Sequence, residues 1–377
     1  MKIGILTLPF HVNYGGILQA YALQTVLERM GHEVDVIEIK KEKKHTIKST
    51  IVECKNFIKR FIKKFILQKP VYLFLDRAKT KLIPVTHQYT NEFIRRYLHL
   101  RKYENACLIN QNDYEAYVVG SDQVWRPKYS PNIYHAYLDF TEGWDVKRIS
   151  YAASFGSDTW EYTDVDTEKC RKLVSHFDAV SVREDSGIGL CKKYLKVSSL
   201  QTLDPTLLLD RADYDYLISS YNTSPSDGNL FNYILDTDER TEEIIRQIAA
   251  DKELKPFRKN VWEPYAKVES DAIVPIEQRI QPPVEQWLRS FRDSEFIVTD
   301  SFHACVFSII FEKPFAVILN AQRGNGRISS LLRLLGEEHR LIGGIDDYRN
   351  NRKEILSSPN IVKLKAMREK SLNYLLK

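Results

Sequence analysis

The chain has 377 residues, of which 43% are hydrophobic and 28% are charged, a balance that excludes a wholly disordered protein. A single hydrophobic core rarely serves more than about 250–300 residues, so we expect two domains. The formal net charge is only +5, from 55 basic and 50 acidic residues, which argues against a nucleic-acid partner.

The cysteines and the apolar runs restrict the class of protein further. The five cysteines form no C-x-x-C pair, which argues against a disulfide framework or a zinc site and favours a reducing cytoplasm. We expect no metal and no cofactor. Apolar runs stay shorter than 18 residues, so no membrane-spanning helix is predicted.

The first elements along the chain have the order strand, helix, strand. Residues 2–8 are a short apolar run that predicts a buried strand rather than a signal peptide. A helical pattern follows and ends at Gly31, and residues 34–39 form the next predicted strand. This order indicates parallel strands joined by a right-handed crossover.

The segment at about 40–69 is a basic amphipathic insertion. Eleven lysines and arginines accompany only two acids there, and apolar residues recur at three-to-four spacing from Ile51 to Ile66. One interpretation is a surface helix with a solvated lysine face. The other is a helix that contacts an anionic membrane surface.

Short apolar strands then alternate with polar loops in both halves of the chain. Asp204-Pro205 ends the first series, since a residue before proline avoids the helical conformation, and we place the domain boundary there. The pattern predicts an α/β fold of two Rossmann-like domains, 1–204 and 205–350, with parallel sheets facing across a cleft. A basic C-terminal helix, 351–377, is expected to pack back on the first domain. The predicted strands and helices after the basic segment are strands at 116–120, 148–154, 178–184, 199–203, 232–236, 296–301 and 314–320, and helices at 239–254, 282–295, 303–313 and 329–336.

Polar and glycine-rich loops follow the predicted strands of the first domain. Parallel sheets align these strand ends on one rim, where ligands bind. Small polar groups suit sugar hydroxyls, and a tryptophan offers a stacking face, although tight turns and a packed tryptophan are the structural alternatives. The residues predicted to bind the acceptor are Asn13, Tyr14, Gly15, Gly16, Ser121, Asp122, Gln123, Trp125 and Ser154.

Cationic groups and one histidine mark the strand ends around the boundary and in the second domain. Arg183 suits a carboxylate or phosphate, with an ion pair to a neighbouring acid as the alternative. His303 lies in the first turn of a helix, where it can transfer protons beside an anion-binding terminus, unless it is only structural. The loop that carries Arg323 and Arg327 is a candidate anion cradle.

Together the motifs resemble the polysaccharide pyruvyl transferase family. The resemblance covers nearly the whole chain and keeps its order, and the matching segments are NYGGILQAYAL, VVGSDQVW, ISYAASFG, AVSVRE, LDPT and TDSFHACVFSIIFEKPF. The resemblance implies a GT-B-like fold. It also implies transfer of the enolpyruvyl group of phosphoenolpyruvate to a sugar of a cell-surface polysaccharide or a lipid-linked oligosaccharide, which forms a pyruvate ketal and free phosphate.

The resemblance assigns His303 as the catalytic acid and Arg183, Ser301, Phe302, Arg323 and Arg327 as donor-binding residues. Characterised members often have Arg-Leu-His where this chain has Ser301-Phe302-His303, so Arg323 or Arg327 would supply the missing cation. A GT-B glycosyltransferase that uses a nucleotide sugar and a non-catalytic glycan-binding relative are the alternatives. The expected location is the cytoplasm, with peripheral contact at the inner membrane face.

Overall fold

The computed structural model describes residues 1–40, 47–130, 132–261, 266–320 and 326–376, without the side chains of residues 47–51. Within these residues, two parallel sheets form the framework. The strands are β1 Lys2–Leu6, β2 Glu33–Ile39, β3 Leu100–Tyr103, β4 Ala116–Val119, β5 Lys147–Ala153, β6 Ala179–Val182, β7 Leu200–Gln201, β8 Leu230–Tyr233, β9 Pro256–Phe257, β10 Phe296–Thr299, β11 Phe315–Ile318 and β12 Leu341–Ile342. The first sheet has the order β3-β2-β1-β4-β5-β6-β7 and the second has the order β12-β11-β10-β8-β9.

Helices connect the strands and cover both sheets. A π-helical turn, Ile62–Ile66, extends the second helix, and residues 41–46 of the predicted basic insertion lie outside the described residues. The helices are α1 Tyr14–Arg29, α2 Ile47–Phe61, α3 Leu75–Thr86, α4 Gln88–Tyr97, α5 Asp164–Val174, α6 Asp185–Leu190, α7 Arg211–Ser219, α8 Glu239–Lys252, α9 Val284–Asp293, α10 Phe302–Ile310, α11 Gly326–Leu335, α12 Ile345–Asn350, α13 Arg352–Ile355 and α14 Ile361–Leu375.

Central strands of both sheets are apolar throughout and buried on both faces. Every residue of β4, β10 and β11 is buried, which is typical of parallel strands covered by helices on either side. The two-residue strands β7, β9 and β12 lie at sheet edges. The predicted strand at 199–203 is therefore reduced to Leu200–Gln201.

Strand order reverses at one point in each sheet, and these points locate the cleft. The first strand, β1, pairs with β2 on one side and β4 on the other, with Ile3 opposite both Val34 and Ala116. Similarly, β10 pairs with both β8 and β11. Ligands of open α/β sheets bind outside the carboxyl ends of strands at such reversals.

The two domains pack against each other through a common apolar core in addition to facing each other across the cleft. One continuous apolar core joins residues of α1 and β1 to residues of α9 and α10. Helix α14 lies against the first sheet, where the Tyr374 hydroxyl donates to the Ser150 carbonyl at 3.0 Å and the Ser371 hydroxyl accepts from the Leu203 amide at 3.0 Å. No helix among the described residues has the length and apolarity needed to cross a membrane.

Candidate active site

A cleft with a volume of about 370 Å³ lies between the carboxyl ends of the two sheets. This volume falls within the usual range for small-molecule sites. Both domains contribute to its walls. The first domain provides His11, Val12, Asn13, Tyr14, Asp122 and Gln123, and the second provides Tyr233, Leu235, Asn260, Val261, Lys267, Gln281, Asp300, Ser301, Phe302, His303, Arg327 and Ile328.

His303 reaches the cleft because β10 runs directly into α10. Ser301 is the N-cap residue, so Phe302 and His303 begin the helix and lie at its amino end. The imidazole is only 8% exposed, and its Nε2 atom has no hydrogen-bond partner among the described residues. His303 thereby lines the cleft, while its Nε2 atom is buried on the side of Asp204.

Gly15 permits the close approach of His303 to the first domain. A Cβ atom at this position of α1 would lie 2.0 Å from the His303 Nδ1 atom, well inside van der Waals contact. Only glycine leaves room for the imidazole. The contact explains in physical terms why the first turn of α1 carries glycine, and it joins the two domains at His303.

Asp204 lies behind His303, fully inside the protein. Its Oδ2 atom is 3.7 Å from His303 Nε2, a distance that is too long for a hydrogen bond but lies within the range of an ion pair. Its Oδ1 atom accepts hydrogen bonds from the amide and hydroxyl of Thr206. Burial alone would raise the pKa of Asp204, but His303, Arg183 and Thr206 together hold it below its usual value. Asp204 is therefore a carboxylate that can stabilise an imidazolium at His303.

Arg183 is buried in an ion-pair network and does not line the cleft. Its guanidinium donates to Asp204 at 2.7 Å and to Asp122 at 3.3 Å, and it stacks 4.4 Å above the Phe302 ring. The structure therefore places Arg183, predicted to bind the donor, behind the cleft wall and in contact with two carboxylates. Burial lowers the pKa of Arg183. The charges of Asp204, Asp122 and Glu184 raise this pKa by more than burial lowers it, so the guanidinium stays charged.

Arg327 is the arginine that does face the cleft. It lies in the first turn of α11, half-buried, and no described residue accepts a hydrogen bond or forms an ion pair with it. Burial and the nearby charge of Arg183 lower its pKa, which means that an anion here would relieve an unfavourable charge. Arg323 lies outside the described residues.

Ser301 and Phe302 complete the donor wall. The Ser301 side chain makes no capping hydrogen bond, so the first amides of α10 keep their hydrogen-bonding capacity. Asp300 fixes this turn, since its carboxylate accepts from the amides of Leu235 and Asp236 and from the Asn320 side chain. Three strand-end loops of the second sheet are thus held together beneath the cleft.

The first domain places four of its predicted acceptor residues on the cleft. Asn13, Tyr14, Asp122 and Gln123 line it. Tyr14 is largely committed elsewhere, because its hydroxyl donates to the Pro282 carbonyl at 2.8 Å and its ring stacks on Trp287. Gly16 adjoins Asn13, as a Cβ atom there would lie 3.1 Å from the Asn13 amide nitrogen.

Three other predicted acceptor residues are buried away from the cleft. Trp125 has no exposed surface, stacks on Tyr137 with ring centroids 5.0 Å apart, and donates from Nε1 to a carbonyl. Ser121 and Ser154 are equally buried, with hydroxyls that donate to the Ala152 carbonyl and the Glu184 carboxylate. The structure places none of these three residues on the cleft wall, because their polar groups and the tryptophan face contact other parts of the protein.

Glu184 is a buried acid to which sequence reasoning assigned no role. One carboxylate oxygen accepts from the Ser154 hydroxyl and the Phe155 amide, while the other has no hydrogen-bond partner among the described residues. Burial raises its pKa despite the charge of Arg183. The carboxylate thereby orients the turn after β5 without entering the cleft.

Sequence reasoning also passed over Lys267, Asn260 and Asp204. Lys267 and Asn260 line the cleft from a loop that carries no recognisable motif. In the sequence, Asp204 is the residue before a proline, and this pattern predicts only the end of a strand series. Its proximity to His303, 99 residues later in the chain, depends on tertiary structure.

The family of this chain follows from comparison with known proteins. The family model for polysaccharide pyruvyl transferase matches residues 13–322. The chain belongs to the polysaccharide pyruvyl transferase family. The matched region contains helix α1 from its N-cap residue Asn13 onward, the buried Asp122–Arg183–Asp204 network and His303. No curated protein matches the sequence.

Solved structures support the GT-B-like fold of this pyruvyl transferase family member. UDP-GlcNAc 2-epimerase from Neisseria meningitidis, bound to UDP-GlcNAc, is 10% identical with a TM-score of 0.50, and the similarity covers 100% of both chains. S. aureus MnaA with UDP is 13% identical with a TM-score of 0.46, over 96% of this chain and 92% of that one. At 10% identity, the similarity to the Neisseria meningitidis epimerase extends to the fold, two parallel-sheet domains about a cleft, and not to the ligand.

Proposed function

We propose that this protein transfers the enolpyruvyl group of phosphoenolpyruvate to a sugar hydroxyl of a polysaccharide or lipid-linked glycan, with His303 as general acid. The family match supports pyruvylation of a polysaccharide. The observation that carries the proposal is the juxtaposition of a buried histidine, an arginine without an ion-pair partner among the described residues, and a helix amino terminus on one wall of the cleft.

The donor would bind to the second domain. Phosphoenolpyruvate carries a carboxylate and a phosphate, so its site needs cations and amide donors in a confined space. Arg327 and Lys267 supply positive charge, and the first turn of α10 supplies amides aligned with the helix dipole. Arg327 takes the role that the arginine two residues before the histidine has in characterised members.

The reaction would begin with proton transfer from His303 to the methylene carbon of phosphoenolpyruvate. The adjacent carbon becomes cationic, and a sugar hydroxyl attacks it to form the first carbon–oxygen bond. Cleavage of the bond to phosphate regenerates a cationic centre, which a second hydroxyl attacks to close the ketal. Of the two hydroxyl protons released, one replaces the proton that His303 gave up and the other leaves with phosphate.

Asp204 would act through His303 as a positioning residue. The pKa of Asp204 is held below its usual value, so the carboxylate stays ionised, and its Oδ2 atom lies 3.7 Å from His303 Nε2, where it would orient the imidazole. Arg183 in turn keeps the buried carboxylate compensated. The chain Asp122–Arg183–Asp204 thereby connects the first-domain wall to the acid.

The acceptor would lie against the first domain. Asn13, Asp122 and Gln123 present amide and carboxylate groups to the cleft, which are the usual partners of sugar hydroxyls. Their position opposite His303 leaves the donor between the acid and the acceptor.

The test is turnover with phosphoenolpyruvate and a panel of galactosides, followed by phosphate release and acceptor mass. We expect a mass gain of one pyruvate less one water. His303→Gln should lower the rate by about 10²–10⁴-fold, and Arg327→Gln should mainly raise the KM for phosphoenolpyruvate. The exposed residues His176 and Arg349 provide matched controls as His176→Gln and Arg349→Gln.

Three outcomes would contradict the proposal. A gain of one hexose from a nucleotide sugar, with no reaction of phosphoenolpyruvate, would make the protein a glycosyltransferase. Full activity of His303→Gln would remove the histidine from the proton transfer. Glycan binding without turnover of either donor would indicate a non-catalytic relative.

A further inference from the structure

Helix α2 and the π-helical turn after it expose a continuous apolar face. Ile58 is 57% exposed and Ile66 is 68% exposed, although apolar side chains of this size are usually buried. The face repeats at helical spacing, and its members are Phe57, Ile58, Phe61, Ile62, Phe65 and Ile66. Among the described residues, only Phe74 contacts this face through an aromatic ring from another element.

Basic side chains flank the apolar face along its whole length. Lys55, Lys59, Lys64 and Lys69 are all exposed, and Arg60 is half-buried. Glu53 is the acid on the same stretch of described chain, so the strip carries a strong positive charge. An apolar stripe bordered by lysine is the pattern of helices that lie in the interface of an anionic membrane.

The strip is fixed to the body of the protein beside the cleft. Val71 forms an isolated bridge with Ala272, and Lys63 forms an ion pair with Asp271 at 2.8 Å. The carbonyls of Lys267 and Ala272 accept hydrogen bonds from Arg279, which holds this loop in place. Lys267 lines the cleft, so the same loop supports both the strip and the candidate donor site.

We propose that the strip of residues 52–69 docks the protein onto an anionic lipid surface. Charge complementarity favours lipid over a second copy of the chain. Two identical strips face to face would bring their lysines together, whereas anionic headgroups neutralise them while the phenylalanines and isoleucines enter the acyl boundary. If the proposed function holds, this docking selects acceptors carried on lipid, because their sugars lie at the same surface as the cleft loop.

The test is co-sedimentation with vesicles of phosphatidylcholine alone or mixed with phosphatidylglycerol, at low and high salt. We expect binding to the mixed vesicles that weakens as salt screens the lysines. Replacing Lys55, Lys59, Lys64 and Lys69 by Gln should weaken binding by about a hundredfold or more, since each lysine near the surface contributes roughly fivefold. Lys63 is left unchanged because it pairs with Asp271.

Matched controls separate the strip from net charge and from surface apolarity in general. Lys192, Lys193, Lys365 and Lys370 are exposed elsewhere, and their change to Gln should leave binding unchanged. Ile58→Ser with Ile66→Ser should abolish the binding that survives high salt, whereas Val165→Ser with Val362→Ser, also exposed, should not.

Three results would overturn the proposal. They are equal binding by the strip and control lysine variants, no binding to anionic vesicles at low salt, and a wild-type dimer that Ile58→Ser with Ile66→Ser converts to monomers. Vesicle binding requires no donor, so its failure leaves pyruvyl transfer untouched. Conversely, loss of turnover on phosphoenolpyruvate would not affect the vesicle result.

Discussion

At the scale of single residues, the candidate site depends on one close contact between the domains. The imidazole of His303 lies where a Cβ atom of residue 15 would otherwise lie, 2.0 Å from its Nδ1 atom. The position of the acid therefore depends on a glycine in the other domain.

Gly15→Ala should displace His303 and lower the turnover rate more than it lowers stability. The added methyl group cannot be accommodated without moving the imidazole, and small displacements of a reacting group cost on the order of a hundredfold in rate. Gly189→Ala is the control, because nothing lies within 4 Å of a Cβ atom at that helical glycine. Normal turnover by Gly15→Ala would show that His303 does not need its observed position.

Asp204→Asn tests the buried ion-pair network through stability. Removing the charge of Asp204 leaves Asp122, at 3.3 Å, as the remaining carboxylate that pairs with the buried Arg183 in the network, which should lower the free energy of unfolding at pH 7 by about 3 kcal/mol. The native pKa of Asp204 is below its unfolded value, so its contribution is present above about pH 4 and is lost as the pH falls further. Urea unfolding of the variant should lack this acid-dependent component.

The control for that measurement is Asp145→Asn, at an exposed aspartate outside the network. It should leave both the stability at pH 7 and the acid dependence close to those of the wild type. Equal stability of Asp204→Asn and the control would mean that the network contributes nothing to the fold.

At the scale of elements, sequence patterns predicted the central strands well and the edges poorly. Strands such as β4 and β10 are apolar runs ended by polar loops, so composition alone indicates them. Strand β3 has the sequence LRKY with its two basic residues exposed at the sheet edge, and its pairing with β2 is not evident from local pattern.

Long-range pairing explains the errors at the site. Arg183 followed a strand as expected, but its partners Asp122 and Asp204 come from two other strand ends. The sequence predicts that the Trp125 ring is available to a sugar, but Tyr137, from a short 3₁₀ helix, stacks on this ring. Such coverage depends on how loops fold over one another, which hydrophobic periodicity does not describe.

Glu285 gives the contact between α4 and α9 a predicted pH dependence. Burial raises its pKa from 4.5 to about 7, with Arg96 lowering and Glu92 raising it to a smaller extent. Because the native pKa exceeds the unfolded one, stability should fall as the pH rises from about 4.5 to about 7. Glu285→Gln should remove this fall and be more stable than the wild type at pH 8 by about 2–3 kcal/mol.

Thermal or urea unfolding between pH 5 and pH 8 measures this effect, with the exposed Glu277→Gln as the matched control. The wild type and Glu277→Gln should show parallel pH profiles. A profile of Glu285→Gln that falls as steeply as theirs would show that Glu285 ionises normally in the native protein.

At the scale of the whole molecule, two parallel sheets bring their strand ends to one cleft, and each domain supplies a different chemistry. The first contributes neutral and acidic polar groups, and the second contributes the histidine His303, the cations Arg327 and Lys267, and the amino terminus of α10. The alternation of apolar strands and polar loops predicted this arrangement, because parallel sheets place every such loop on one rim. The pattern does not predict which residues of those loops face the cleft.

The central claim is that His303 protonates the methylene carbon of phosphoenolpyruvate during transfer to a glycan. The most direct measurement is the reaction in D₂O, with the product methyl group examined by NMR and mass spectrometry. The account predicts one deuterium in the ketal methyl group for each phosphate released, and neither product with His303→Gln. Phosphate release without deuterium in an acceptor-bound methyl group, or transfer of a hexose instead, would contradict it.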